Sequence, residues 1–137
     1  MGYEMKLPIV IHSREATDEL IKILKQHSQL HPKGIFHCFS GNETQAKEII
    51  DLGFFLGIGG VVTFKNSGLD KVMMDIDMNN IVLETDAPYL APVPFRGKRN
   101  ECSYLKYVVE KLAGIKNVSK EDITGVTTKN AKELFNI

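Results

Sequence analysis

The sequence carries no excess charge of either sign: 17 basic residues balance 17 acidic ones. No global basic field exists to hold nucleic acid non-specifically, so any such contact must be local. Cysteine is scarce. Cys38 and Cys102 form neither a disulfide framework nor a metal-ligand spacing, which points to a reducing, cytoplasmic setting. Long apolar runs are missing as well. The stretch MGYEMKLPIVIHSR is broken by Pro8 and is neither a signal peptide nor a membrane span. There is no repeat or low-complexity tract, no Walker or Rossmann glycine pattern, and no base and acid partner that would make Ser13 or Ser40 a triad nucleophile. What remains is ordinary globular composition. With 137 residues, 43% of them hydrophobic, the chain is expected to form a single domain over residues 1–137 with a real core.

Short β-rich runs alternate with helical patterns. The runs are residues 9–12, 34–37, 54–58 and 80–84. Helices are expected over residues 15–27 with Ser13 as N-cap, then from Asn42 with Gln45 completing a capping box and Gly53 as the stop. A short one follows over 68–75, and another over 101–113 with Gly114 as its stop. The last starts at Ser119 with Asp122 in the capping-box position, and runs as one helix or two. Each strand is continuously apolar, as in a sheet covered on both faces. The fold class is therefore α/β: a parallel sheet of four βα units. A complete (β/α)₈ barrel needs about 250 residues, so the chain amounts to half of one.

Chemically capable residues recur at one place, the C-terminal end of a strand. His12, His37 and Asp86 all occupy it. Adjacent parallel strands lie ~5 Å apart, so such side chains can converge. A lone strand-end histidine is ordinarily a hydrogen-bonded structural residue, but three metal-type ligands at three strand ends favour a metal site. The mixed nitrogen and oxygen donor set suits Zn²⁺, Mn²⁺ or similar ions better than a Ca²⁺ cage. Alternation turns Glu84 and Asp86 the same way if the strand reaches that far. Glu84 has two readings: a direct ligand, or a buried carboxylate bonded to a lysine or a backbone N–H.

The loop PVPFRGKRNE adds Arg96, Lys98 and Arg99, read as an oxyanion clamp rather than a solvated charged loop. His27 and His31 read as surface residues, and Cys38 as core. Gly57, Gly59 and Gly60 permit a bend or a close approach to the site.

Four ordered motifs, LPIVIHSREA, HCFSG, ETDAPYL and RGKRNE, together resemble the TatD family of metal-dependent deoxyribonucleases. The resemblance implies a (β/α)₈ hydrolase of the amidohydrolase type, with one or two divalent ions (Mg²⁺, Mn²⁺ or Zn²⁺) at the barrel mouth and DNA as substrate. By the same resemblance His12, His37 and Asp86 are metal ligands, and Asp86 also helps activate water. Glu84 joins Asp86 as a catalytic candidate, and Tyr89, Arg96 and Arg99 match positions near the substrate. The family's first-strand His-x-His and its glutamate in a GEIGLD-like segment have no counterpart here. The chain thus resembles the C-terminal half of such an enzyme, and the resemblance implies that residues 1–6 are the tail of the helix before the fifth strand. Two other readings stand beside this one. A catalytically silent half-barrel would pair through its open edges, as a homodimer or with a separate N-terminal half. The same metal chemistry could also serve small amides or esters.

Overall fold

The computed structural model describes residues 4–137. The elements are β1 (Ile9–His12), α1 (Thr17–Gln26), β2 (Gly34–His37), α2 (Glu43–Asp51), β3 (Phe54–Ile58), α3 (Leu69–Asp75), β4 (Ile81–Leu83), α4 (Leu105–Lys116) and α5 (Lys120–Phe135). The four strands form one parallel sheet in the order β1-β2-β3-β4. Parallel neighbours need a crossover, and helices supply it each time. The expected α/β class and four βα units are what the chain adopts. No helix among the described residues is long and apolar enough to cross a membrane.

Strand alternation separates two faces. Phe36, Phe54, Leu56, Ile58 and Ile81 point to the helices and are buried with Ile49, Met73, Leu112 and Ile123. Each such side chain removed from water contributes about 1.5–3 kcal/mol. The opposite row runs Val10, Ile35, Phe55 through the register of the first three strands. That face is open at β1, where Val10 is 58% exposed. The last helix is tied down by polar contacts. Asn130 of α5 is buried and donates from Nδ2 to the carbonyls of Met78 and Ile81, both at 2.8 Å.

Several boundaries differ from expectation. Residues 1–3 of the expected helix tail lie outside the described residues, and residues 4–6 form a turn. Ser13 does not cap α1. Its Oγ lies 2.6 Å from Thr17 Oγ1, and the N-cap position falls on Ala16 without a side-chain bond. β4 stops at Leu83, short of Glu84. α4 passes through Gly114 and ends at Asn117, whose left-handed φ of 53° closes it. One glycine in a helix interior costs only about 1 kcal/mol, so it does not compel a stop.

The two capping boxes form as expected. Asn42 Oδ1 accepts from Gln45 N–H at 2.9 Å, while Gln45 Oε1 accepts from Asn42 N–H at 3.0 Å. Ser119 and Asp122 do the same for α5, a single helix of 16 residues. Asn42→Ala is expected to cost about 1 kcal/mol. Thermal unfolding checks it: the midpoint should fall by a few degrees, and an unmoved midpoint would deny the cap its role.

Candidate metal centre

In-register pairing builds the site. His12 ends β1, His37 ends β2, and the two are direct partners in the ladder. Partners in a parallel pair project to the same face, and these two rings stand 5.7 Å apart between centroids. Both imidazoles emerge on the side away from the helices, at the C-terminal ends of the strands.

β4 contributes next. One residue past its end, Glu84 N–H still donates to Ile58 O at 3.1 Å. The Glu84 side chain then reaches His37. Gly57 makes room for it, since a Cβ at that position would lie 2.3 Å from Glu84 Oε2. The expected close approach at this glycine is what the backbone provides. His37 Nδ1 lies 2.9 Å from Oε1 and 3.0 Å from Oε2 of Glu84. Oε1 also accepts from the Cys38 N–H at 2.8 Å. A carboxylate only accepts, so the ring proton belongs on Nδ1. Of the two readings of Glu84, the geometry matches the carboxylate bonded to a backbone N–H; no lysine takes part. Burial pushes its pKa up, and the adjacent His37 pulls it back in part.

Asp86 sits elsewhere than alternation suggests. Because β4 ends at Leu83 and Asp86 adopts a left-handed φ of 53°, the two carboxylates do not stand side by side. They bracket one imidazole. Glu84 holds Nδ1, and Asp86 Oδ1 lies 3.4 Å from Nε2. With the proton on Nδ1, the Nε2 lone pair faces the Asp86 side.

This donor set fits part of a metal's coordination sphere. A tetrahedral ion about 2.1 Å from each of two ligands separates them by about 3.4 Å, the spacing of His37 Nε2 and Asp86 Oδ1. A carboxylate behind the opposite ring nitrogen is the usual support of a metal-bound histidine. His12 stands in the same cleft, with Arg14, Cys38 and Tyr89. Yet among the described residues no group of three or more His, Cys, Asp or Glu side chains converges closely enough to hold an ion. The three expected ligands share a cleft without forming a closed cage.

Other expected residues divide. Tyr89 lines the cleft and is 70% exposed. Arg96 and Arg99 are exposed and do not line it; the Arg96 guanidinium carbon lies 4.3 Å from the Phe64 ring centroid instead. As placed, Arg96 and Arg99 thus stand outside the cleft that holds the imidazoles. The cation in the cleft is Arg14, two residues beyond His12, which its position at a strand exit could have flagged. Cys38 is also not core. Its φ of 49° breaks the alternation, so Phe39 takes the buried place and Cys38 joins the cleft. Burial, then the charges of Glu84 and Asp86, push its thiol up to about 11. At neutral pH it is a protonated thiol and a poor nucleophile. His27 and His31 are exposed, as expected.

Sequence reasoning missed Asn100. It is buried and donates from Nδ2 to Thr85 O at 2.6 Å and Tyr89 O at 2.7 Å, while Oδ1 accepts from Glu101 N–H at 2.9 Å. One side chain thereby fastens the loop that carries Asp86 and Tyr89.

The family described as TatD related DNase matches residues 1–136. YabD of Bacillus subtilis strain 168, named an uncharacterized metal-dependent hydrolase, is 47% identical over 138 residues, covering 100% of this chain and 54% of that protein. The 3'-5' ssDNA/RNA exonuclease TatD of Klebsiella pneumoniae strain 342 is 32% identical, covering 100% and 54%. The crystal structure of YjjV, a TatD homologue from Escherichia coli K12, aligns with a TM-score of 0.92 at 29% identity, covering 99% of this chain and 52% of that one. The chain thus spans about half the length of these relatives, and its four-stranded parallel sheet corresponds to about half of their TIM-barrel fold. Strand-end histidines, a bracketed imidazole and a match along nearly the whole chain lead to one conclusion: the chain belongs to the TatD-related DNase family.

Proposed function

We propose that this chain contributes the active site, or half of one, of a divalent-metal-dependent phosphodiesterase that cleaves DNA. The observation that carries the reading is the bracketed His37: its proton is held by Glu84, and its free nitrogen lies 3.4 Å from Asp86 in the cleft shared with His12. His12, His37 and Asp86 would hold the ion, Mg²⁺, Mn²⁺ or Zn²⁺, one or two in the intact enzyme. When bound, such an ion polarises a phosphoryl oxygen and lowers the pKa of water. Asp86 accepts the proton of the attacking water. Glu84 keeps the His37 tautomer and ring orientation, a positioning role rather than a direct one. Arg14 pairs with the phosphate, and Tyr89 meets the substrate at the rim. Arg96 and Arg99 act farther along the strand. DNA is favoured as substrate because the Klebsiella relative is named an exonuclease of single-stranded DNA and RNA. The unpaired Cys38 and Cys102 suit the cytoplasm.

The test is degradation of end-labelled single-stranded DNA with Mn²⁺, repeated with a chelator. Shortening that the chelator abolishes is the expected result. Turnover of small amides or esters with DNA left intact would move the activity to that substrate class.

A second reading has its own observation. Within the described sheet β1 and β4 are edges, and Val10 on the open face is 58% exposed. A half-barrel of this kind pairs with a second copy or with an N-terminal half. Turnover of no substrate, together with a dimer in light scattering, would favour this reading over the enzymatic one.

A further inference from the structure

Beside the cleft but outside its lining, aromatic and basic side chains gather on one surface. Phe95 stacks on Tyr104 with centroids 4.3 Å apart and planes 8° from parallel. Tyr107 meets both rings edge-on. Cations stand over the rings: Arg96 over Phe64, Lys106 Nζ 5.1 Å from the Tyr107 centroid, and Lys98 Nζ 6.0 Å from that of Phe95. The rings are only partly buried and the cations are exposed.

Packing alone explains the stacked rings but not the charge. Residues 88–107 hold four basic residues (Arg96, Lys98, Arg99, Lys106) and one acidic residue, Glu101, in a chain whose net charge is zero. Among the described residues none of the four pairs with a carboxylate. The surface also adjoins the cleft. Val61 and Leu90 line the cleft, Phe64 and Phe95 lie a few residues beyond them, and the two loops are joined by Val93 N–H donating to Thr63 Oγ1 at 3.0 Å.

Partly exposed rings with cations over them that pair with no carboxylate match one ligand chemistry: bases to stack and phosphates to neutralise. We infer that this surface is a secondary track for single-stranded DNA, leading the strand to or from the cleft. Bases stack on the outer faces of Tyr104 and Tyr107, and Lys106 and Lys98 meet the phosphates. A duplex hides its base faces and gains nothing from the rings. The inference rests on the reading of the chain as acting on DNA.

The chain has no tryptophan, and two of its four tyrosines, Tyr104 and Tyr107, lie in the patch, so the part of the tyrosine quenching that Tyr104→Leu removes reports on it. The experiment titrates the full chain with an oligodeoxythymidylate, chelator present so that nothing is cut. Wild-type protein should bind with quenched tyrosine emission, more tightly than it binds a duplex of equal length. Lys106→Glu should weaken binding several-fold and flatten the salt dependence, by about 0.7 in logarithmic slope for each phosphate that the variant leaves unneutralised. Tyr104→Leu should weaken it about 5-fold or more and remove part of the quenching. Metal-dependent cleavage of a dinucleotide, too short to reach the patch, should stay at the wild-type rate in both variants. Lys106 is exposed, so its variant tests the track even if Tyr104→Leu fails to fold. Unchanged oligonucleotide affinity in Lys106→Glu, or equal affinity for duplex and single strand, would overturn the track while leaving the cleavage reading intact. Patch-dependent strand binding without cleavage of either DNA substrate would overturn the cleavage reading and leave the track.

Discussion

His37→Ala is expected to lower affinity for the metal, and with it metal-dependent cleavage, by at least about 100-fold. The variant removes the one ring that both carboxylates address, at 2.9 Å on one nitrogen and 3.4 Å on the other. Calorimetric titration with Mn²⁺ and the rate on single-stranded DNA both read the effect. Equal affinity and equal rate in the variant would remove His37 from the centre. Glu84→Gln is the graded companion, expected to cost about 10- to 100-fold in metal affinity. Its amide oxygen can still accept from Cys38 N–H, which turns the NH₂ group toward His37 Nδ1. That nitrogen must then accept, and the ring proton moves to Nε2, the face needed for the ion. The same substitution has a pH signature in metal-free protein. Burial raises the pKa of Glu84, so the folded chain holds this proton more tightly than the unfolded chain does. Stability from this group is full below the ordinary carboxylate range and is lost as pH rises through the raised value. Glu84→Gln should flatten that loss.

Gly34→Ala is expected to be the most damaging small substitution for stability, by about 3 kcal/mol. A Cβ on Gly34 would sit 1.9 Å from the Ile9 carbonyl oxygen and 2.9 Å from the Ile9 nitrogen. The obstacle is backbone, so no rotamer relieves it. β1 has to withdraw, and the 2.9 Å bond from Ile9 N–H to Lys33 O is strained with it. Since Ile9 pairs with Gly34 in the ladder that also pairs His12 with His37, metal affinity should fall along with the unfolding midpoint. A midpoint within a degree of wild type would show that β1 accommodates the methyl group by a route the present packing does not offer.

How far the sequence foretold this molecule depended on whether alternation held. Through β1, β2 and β3 it did, because buried parallel strands are unbroken apolar runs with clear ends; His12 and His37 were placed from that pattern alone. It failed wherever a residue with positive φ stands at a strand exit. Cys38 at 49° moved from core to cleft, and Asp86 at 53° left the line of Glu84. Cysteine does not advertise that conformation, and aspartate adopts it too seldom to be read from one position. Asn100 escaped notice because its worth lies in two carbonyls of a loop whose path no periodicity describes. Arg96 drew attention by charge and nearness in sequence to Asp86, whereas Phe64, from a different βα unit, determines where it points. Capping boxes were readable because donor and acceptor lie three residues apart.

The pairing of His12 with His37 has a consequence for how correctly folded protein is recognised. β1 has four residues and, within the described sheet, pairs with β2 alone. If it slid by one position, its side chains would exchange faces: Ile11 would look into the cleft and His12 toward the helices. Helix content and strand content would hardly register the error, and a circular dichroism spectrum would pass it. The spacing of the imidazoles is thus a product of ladder alignment, and an ion held by them would act as its proofreader. Adding the metal during refolding would select the aligned chain from a population that otherwise looks uniform.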